Sequence, residues 1–496
     1  MEYFLGIDIG TTSAKGVAFN KRGELICKHS VIYEMQHPHP NYSELDPNEI
    51  LNAVIYCINK VAADLLPATP SFISFSAMMH SLIVVNEEGV PLTNCLIWAD
   101  NRASEIARQL RNTEEGESFY HATGVPIHAM SPLCKLFWMK DFEPASYIKA
   151  SRFIGIKEYI FFKLFNSYVV DTAIASATGL LNLYTLDWDK NILTALELSR
   201  EKLSKIVPVE HVLYYSSQSG ALHSLNIPEQ TPFVIGGSDG ALANLGAGSN
   251  GNESMAVTIG TSAAVRILSD NPVTEKYMGI FCYHANGDQY IIGGASNNGA
   301  VVMQWVKDSL LQTPETYNEL FGLAANISLA NDDLFFVPYI LGERAPVWDS
   351  DAKGIFCGLS INHTKAHLIR AAMEGITYNL YSIGKLIMRS VTVKDIYAAG
   401  GFAENSLWLQ LLADVFNCRV LVSGSPESSA LGAVIIGVKA LKIPLEIQPS
   451  IISTHEPDPI NHLIYQKQYH KFERLYKIYK NEFSNAGDLA KPIHAY

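Results

Sequence analysis

Apolar and polar positions alternate from the start of the chain: Leu5, Ile7 and Ile9 fall on one face of an extended segment, Gly6, Asp8 and Gly10 on the other, as side chains of a strand must. Gly10, Thr11, Thr12 and Ser13 interrupt the alternation, so residues 4–19 predict a β-hairpin with a turn of glycine and hydroxyls. A second turn at Asn20-Lys21-Arg22-Gly23 and a run over residues 25–33 extend it to an antiparallel meander. Asp46-Pro47-Asn48-Glu49 then places Asp at an N-cap, Pro at N1 and Glu at N3, which starts a helix to about residue 65. A half-buried strand over 71–77 delivers Met78, Met79, His80 and Ser81 at its C-terminal end, the edge where ligands sit in α/β sheets. A strand over 95–98 ends in Asp100-Asn101-Arg102, with a helix from about Ala103. A short buried strand over 233–235 releases into Gly236-Gly237-Ser238-Asp239-Gly240 before another helix.

The pattern then starts again. Residues 255–268 predict a second hairpin in which Thr258-Ile259-Gly260-Thr261 lines up with Asp8-Ile9-Gly10-Thr11. A strand over 289–292 ends in Gly293-Gly294, a helix runs through Trp305, and residues 365–389 carry core positions at helical spacing. A strand ending in Gly400-Gly401 precedes Asn405 and a further helix. Tyr465, Tyr469, Phe472, Tyr476 and Tyr479 form an aromatic stripe expected to serve as core or as a homodimer face. An internal echo half a chain apart predicts two similar α/β domains, residues 1–243 and 244–496, each offering a hairpin to a shared cleft.

Composition narrows the function. A chain of 496 residues, 48% apolar and 17% charged, is globular and too long for one core. The formal net charge of −12 gives nucleic acid no electrostatic invitation, so an anionic ligand must be met by local donors or a metal. Seven scattered cysteines without a C-x-x-C pair suggest neither a disulfide framework nor a zinc site. No apolar run reaches membrane-spanning length, and the first residues lack a basic leader, so a cytoplasmic enzyme is expected.

The candidate chemistry lies at the strand ends. Asp8 between two glycines, beside N–H groups and hydroxyls of Gly10, Thr11, Thr12 and Ser13, suits a phosphate clamp with Mg²⁺ between carboxylate and phosphates; an ordinary hairpin with a surface Asp is the alternative. Thr258 replaces Asp8 in the second copy, so only the first would hold the metal. His80, Trp98, Asp100 and Arg102 have the mix of a polyol pocket, or equally Asp100 is a plain N-cap with a surface Arg beside it. Asp239, stripped of neighbours by glycines, could reach a substrate hydroxyl or merely cap its helix. Gly400 and Gly401 leave room for a flat ring such as adenine, with Asn405 to bond it. No G-x-x-x-x-G-K-[ST] loop is present.

Two longer stretches carry a resemblance. Met130-Ser131-Pro132-Leu133-Cys134-Lys135-Leu136-Phe137-Trp138-Met139, and Gly354-Ile355-Phe356-Cys357-Gly358-Leu359 followed by His367-Leu368 and Ala371-Ala372-Met373-Glu374, are similar to the two signatures of the FGGY carbohydrate kinases. The first departs from the pattern at Phe142, where a polar residue is usual. The resemblance implies two ribonuclease-H-like domains of the actin/hexokinase ATPase type flanking a cleft in which MgATP meets a small sugar or sugar acid. It implies Asp239 as catalytic base and as a metal-facing group with Asp8. Thr12, Ser13, Lys15, Gly260 and Thr261 would hold phosphates, Gly401 and Asn405 the nucleoside, and Met79, His80 and Asp100 to Arg102 the sugar. Residues 341–348 look most like the branch that phosphorylates gluconate at its terminal hydroxyl, with the xylulose branch close behind. A nucleotide-switched interaction protein of the actin or chaperone kind is the alternative of a different class.

Overall fold

The computed structural model describes residues 2–218, 225–249, 251–329, 333–424, 427–445 and 447–484. In the first half, β1 (Glu2–Ile9), β2 (Ser13–Phe19) and β3 (Leu25–Ile32) form the expected meander. Helix α1 (Pro47–Asp64), capped by Asp46, packs Ile50, Val54, Ile58 and Val61 onto it. β4 (Thr69–Ala77) pairs parallel to β1. After α2 (Pro132–Phe142) and α3 (Ile156–Phe165), β5 (Val212–Tyr214) and β6 (Pro232–Ser238) complete a six-stranded sheet in the order β5-β6-β4-β1-β2-β3. Helix α4 (Asp239–Ala247) leads out of it.

The second half repeats the scheme. β7 (Ser254–Ile259) and β8 (Ala263–Ser269) are the second hairpin, β9 (Phe281–Asn286) and β10 (Gln289–Ser296) extend it antiparallel, and α5 (Lys365–Ile387) covers it. β11 (Asp395–Ala399), α6 (Ser406–Phe416), β12 (Arg419–Ser423), α7 (Ser428–Ala440), β13 (Ile451–His455) and α8 (Pro459–Ser484) follow. The sheet order is β9-β10-β8-β7-β11-β12-β13, with β7, β11 and β12 parallel as β1, β4 and β6 are. The hairpin turns differ by one residue: Ile9 pairs with Ala14, Ile259 with Ala263.

Three expectations change. The strand expected to stop at residue 235 continues through Gly236 and Gly237 to Ser238, and the one expected to stop at 292 runs to Ser296. At Gly236, Gly293 and Gly294 neighbours come too close for a side chain: a Cβ on Gly293 would stand 2.4 Å from the Val265 carbonyl oxygen. The strand expected over 95–98 pairs only at Cys95–Leu96, against Glu44–Leu45. The aromatic stripe is core: Tyr465, Tyr469 and Phe472 are buried with Tyr378.

Helix α7 lies on the other half's sheet. Ala430, Leu431, Val434 and Val438 pack with Phe4, Val17, Phe19 and Phe72. Backbones touch there: a Cβ on Gly6 would sit 2.4 Å from the Ala430 oxygen, one on Gly246 of α4 1.9 Å from the Ser428 oxygen, and one on Gly432 of α7 2.0 Å from the Leu242 oxygen. Helices α4 and α7 therefore cross at near-contact of their main chains, and the residue-243 boundary expected from the repeat falls inside α4. Among the described residues no helix is long and apolar enough to cross a membrane.

Gly246→Ala should force this crossing apart, at a cost of about 1–3 kcal/mol, and lower the midpoint of thermal unfolding. Gly322→Ala, on an exposed helical turn where a Cβ meets nothing within 4 Å, should instead stabilise by about 0.5–1 kcal/mol. Calorimetric scans of the two variants check both signs.

Candidate active site

Asp239 owes its position to a bulge. Phe233 and Val234 of β6 pair with Ile73 and Ser74 of β4, but Gly237 pairs with Ser76, so Ile235 and Gly236 together face the single residue Phe75. Gly236 has φ +65°, and a Cβ on it would stand 1.8 Å from the Phe75 carbonyl oxygen. The buried ammonium of Lys157, on α3, donates to the Ile235 oxygen at 3.2 Å and the Gly237 oxygen at 3.0 Å, and pairs with Asp171 at 2.6 Å. The strand end is thus held from behind, and Asp239 opens α4 at the sheet's C-terminal edge. Its Oδ1 accepts the Gly240 N–H at 2.7 Å. Burial raises its pKa above the usual carboxylate range, against the lowering effects of Arg266, the Gly240 N–H and Lys157.

Asp239 lines a cavity of about 220 Å³ between the two sheets, together with Thr11, Met79, His80 and Trp98 from the first half and Ser262, Arg266, Tyr283 and Arg344 from the second. His80 follows β4 with φ +65°. Its Nδ1 lies 2.8 Å from the Ala177 carbonyl oxygen, which can only accept, so Nδ1 carries the proton and Nε2 is an acceptor. Burial first, then the Lys135 charge, pulls its pKa down to about 3, and the ring is neutral at physiological pH. Lys135, on α2, is itself buried and donates to the main-chain oxygens of His80 at 2.9 Å and Ile97 at 2.7 Å. It joins the two segments that present His80 and Trp98. The Trp98 Nε1–H donates to Thr11 Oγ1 at 2.9 Å.

Asp8 stands beside Ser76, whose hydroxyl donates to Oδ1 at 3.0 Å. Burial first, and Asp239 next, raise its pKa to about 6. In the two hairpins, the Gly10 N–H bonds the Ser13 oxygen and the Gly260 N–H the Ser262 oxygen, while Thr12 and Thr261 are exposed at the tips. Lys15, opposite Asp8 on β2, reaches Glu427 at the start of α7 at 3.0 Å. Gly400 has φ +100°, and a Cβ on Gly401 would meet nothing within 4 Å. Asn405 caps α6 by accepting the Trp408 N–H with its Oδ1.

Two residues expected in the sugar pocket are engaged elsewhere. Asp100 is buried, accepting the Ser43 N–H at 2.8 Å and the Arg102 guanidinium at 2.8 and 2.9 Å. Arg102 also bonds Glu44 and lies 3.8 Å over the Tyr42 ring. Two carboxylates pair with the guanidinium, and neither Asp100 nor Arg102 lines the cavity. The cavity's cations are instead Arg266 and Arg344, which sequence reasoning missed. Arg266 sits between Ala264 and Leu268 on one face of a strand whose other face, Val265 and Ile267, is also core; a lone Arg in an otherwise apolar strand was the available signal. Arg344 lies 4.5 Å over the Trp98 ring. Burial lowers both guanidinium pKa values, that of Arg344 to about 10, and both stay charged at neutral pH.

Comparison with known proteins places this geometry. The chain is 40% identical to the gluconokinase of Bacillus licheniformis over 99% of both chains, and 29% identical to the xylulose kinase of Staphylococcus epidermidis over 96% and 97%. Two crystal structures from Lactobacillus acidophilus, one described as a gluconate kinase and one as a ligand-bound xylulose kinase, each superpose with a TM-score of 0.94 at 32% identity over 98% of this chain and 99% and 100% of theirs. Residues 3–246 match the N-terminal domain and residues 255–441 the C-terminal domain of one family, and the chain therefore belongs to the FGGY family of carbohydrate kinases.

Proposed function

We propose that the protein transfers the γ-phosphoryl group of ATP to the terminal hydroxyl of D-gluconate, giving 6-phosphogluconate. The observation that carries this reading is the make-up of the cavity: one carboxylate held at a strand end, one neutral imidazole acceptor, an indole face and two guanidiniums. That set suits a polyol bearing a negative charge. The 40% identity to a gluconokinase over the whole chain supports it. The equal structural likeness to a protein described as a xylulose kinase makes a neutral pentulose the second reading.

Phosphoryl transfer needs positioning and charge neutralisation more than covalent chemistry. Asp239 accepts the hydroxyl proton as the oxygen attacks phosphorus, and Lys157 behind the bulge keeps that carboxylate at the strand end. His80 Nε2 accepts a second hydroxyl, and Met79 and Trp98 supply apolar contact. Thr11, Thr12, Ser13 and Lys15 on one side, and Thr261 on the other, bring donors to the phosphates, while Gly10 and Gly260, whose N–H groups close the two turns, leave the backbone bare for their approach. The open space at Gly401 takes the nucleoside, with the amide nitrogen of Asn405 remaining for it. Asp8 and Asp239 fit a hard divalent cation, because the charge of Asp239 raises the proton affinity of Asp8 beside it and a cation between the two carboxylates would relieve that repulsion. Mg²⁺ bound there would neutralise phosphate charge.

Asp239→Asn should lower kcat about 10²- to 10⁴-fold with ADP binding unchanged, measured by coupled assay and calorimetry. In the same assay gluconate should exceed xylulose, ribulose and glycerol in kcat/KM; a higher value for xylulose overturns the sugar-acid reading. Lys135→Met frees the His80 and Ile97 carbonyls and should cost about 10- to 100-fold in kcat/KM for the sugar while the KM for ATP stays near its parent value.

A further inference from the structure

Among the described residues neither guanidinium in the cavity is hydrogen-bonded to a carboxylate, although the charge of Asp239 acts on Arg266 and that of Glu343 on Arg344. No side-chain nitrogen of Arg266 donates a hydrogen bond among the described residues, and its buried Nε has no partner. The Nε of Arg344 is likewise buried and unpartnered; its Nη2 gives one bond, to the Ser296 carbonyl oxygen at 3.2 Å. A guanidinium offers five N–H donors in a planar fork, and charged donors left unmade in a buried site are costly.

Among the described residues neither nearby carboxylate gives an oxygen to these forks. Asp239 Oδ1 takes the Gly240 N–H. Glu343, next to Arg344 in the chain, is wholly buried and accepts from Ser296, from the main-chain N–H groups of Asn297 and Arg344, and from the side-chain amides of Asn298 and Asn379. Neither Arg266 nor Arg344 forms an ion pair within 4.0 Å among the described residues, whereas Arg102 has two. Two neighbouring cations repel one another, and an anion seated between them removes that repulsion while using the idle forks.

We propose that Arg266 and Arg344 together receive the carboxylate of the sugar acid. Both come from the second half, Arg266 from β8 and Arg344 from the loop bonded to the end of β10. The substrate's hydroxyls are met by His80 and Asp239 of the first half. The charge is therefore read from across the cleft, and a sugar acid ties the two halves together in a way that a neutral polyol of the same length does not. This inference rests on the sugar-acid reading.

The test compares gluconate with D-glucitol, which carries a hydroxymethyl group where gluconate has its carboxylate. Dissociation constants for gluconate by calorimetry, and inhibition constants for glucitol against gluconate phosphorylation, are measured for the parent, Arg266→Gln, Arg344→Gln and the two Lys variants. Each Gln variant should weaken gluconate about 30-fold or more and move glucitol less than about 3-fold, and each Lys variant should bind gluconate better than its Gln counterpart without restoring the parent value. ADP-induced thermal stabilisation equal to the parent's shows that the variants are folded. If gluconate affinity holds in both Gln variants, or if gluconate and glucitol weaken together, the carboxylate does not lie between these residues and the inference is overturned with the sugar-acid reading intact. If the parent itself prefers neutral sugars, the sugar-acid reading is what fails.

Discussion

The close crossing of α4 and α7 is the constraint on which the rest of the molecule depends. Gly6, Gly246 and Gly432 let main chain meet main chain, so a helix from the far end of the sequence lies against the first strand. The helix that begins at Asp239 is gripped in the same contact. Interiors packed this densely transmit displacement rather than absorb it, so the start of α4 at Asp239 is tied to α7 of the second half as well as to its own sheet. Lys15 and Lys28 add an ionic tie, since both pair with Glu427 just ahead of α7. The hairpin beside Asp8 and the start of that helix are held as one unit.

Within this frame, two buried lysines position the site without lining its cavity. An ammonium has three donors on a flexible stem and can bond carbonyls from different segments at once. Lys157 does so behind the bulge before Asp239, and Lys135 does so between the segments carrying His80 and Trp98. Burial opposes both charges, drawing the pKa of Lys135 down to about 8. The main-chain oxygens that each ammonium bonds, and for Lys157 the Asp171 carboxylate as well, are what make the charge tolerable. The backbone irregularity and the buried cation are two parts of one device.

The electrostatics are local. A chain with a net charge of −12 handles anionic ligands in a cavity where two guanidiniums outnumber the one carboxylate of the lining. Other cations nearby are neutralised by acidic partners: Arg102 by Asp100 and Glu44, Lys157 by Asp171. His80 takes no part in the charge balance because its burial keeps it neutral.

Much was legible in the sequence because it depends on neighbours along the chain. Strand alternation placed Asp8 and the two hairpins, the Asp46 cap and Pro47 placed α1, and the echo of Gly10-Thr11 in Gly260-Thr261 announced two sheets of like topology. The signature stretches pointed to the family to which the chain belongs. Periodicity says which face a residue takes and not what comes to meet that face. Arg102 lay in a stretch with the composition of a pocket, yet Glu44, distant in sequence, arrives to take its charge. Arg266 looked like one polar residue of a hairpin, yet no carboxylate pairs with it among the described residues. Gly6 read as clearance around Asp8, whereas it is the place where α7 rests. By itself the sequence determined most of the elements, their faces and the family; tertiary structure decided which charges are neutralised and which remain for a ligand, because ion pairing depends on contacts between residues brought together from separate elements, such as Arg102 and Glu44 or Lys15 and Glu427, that no local pattern encodes.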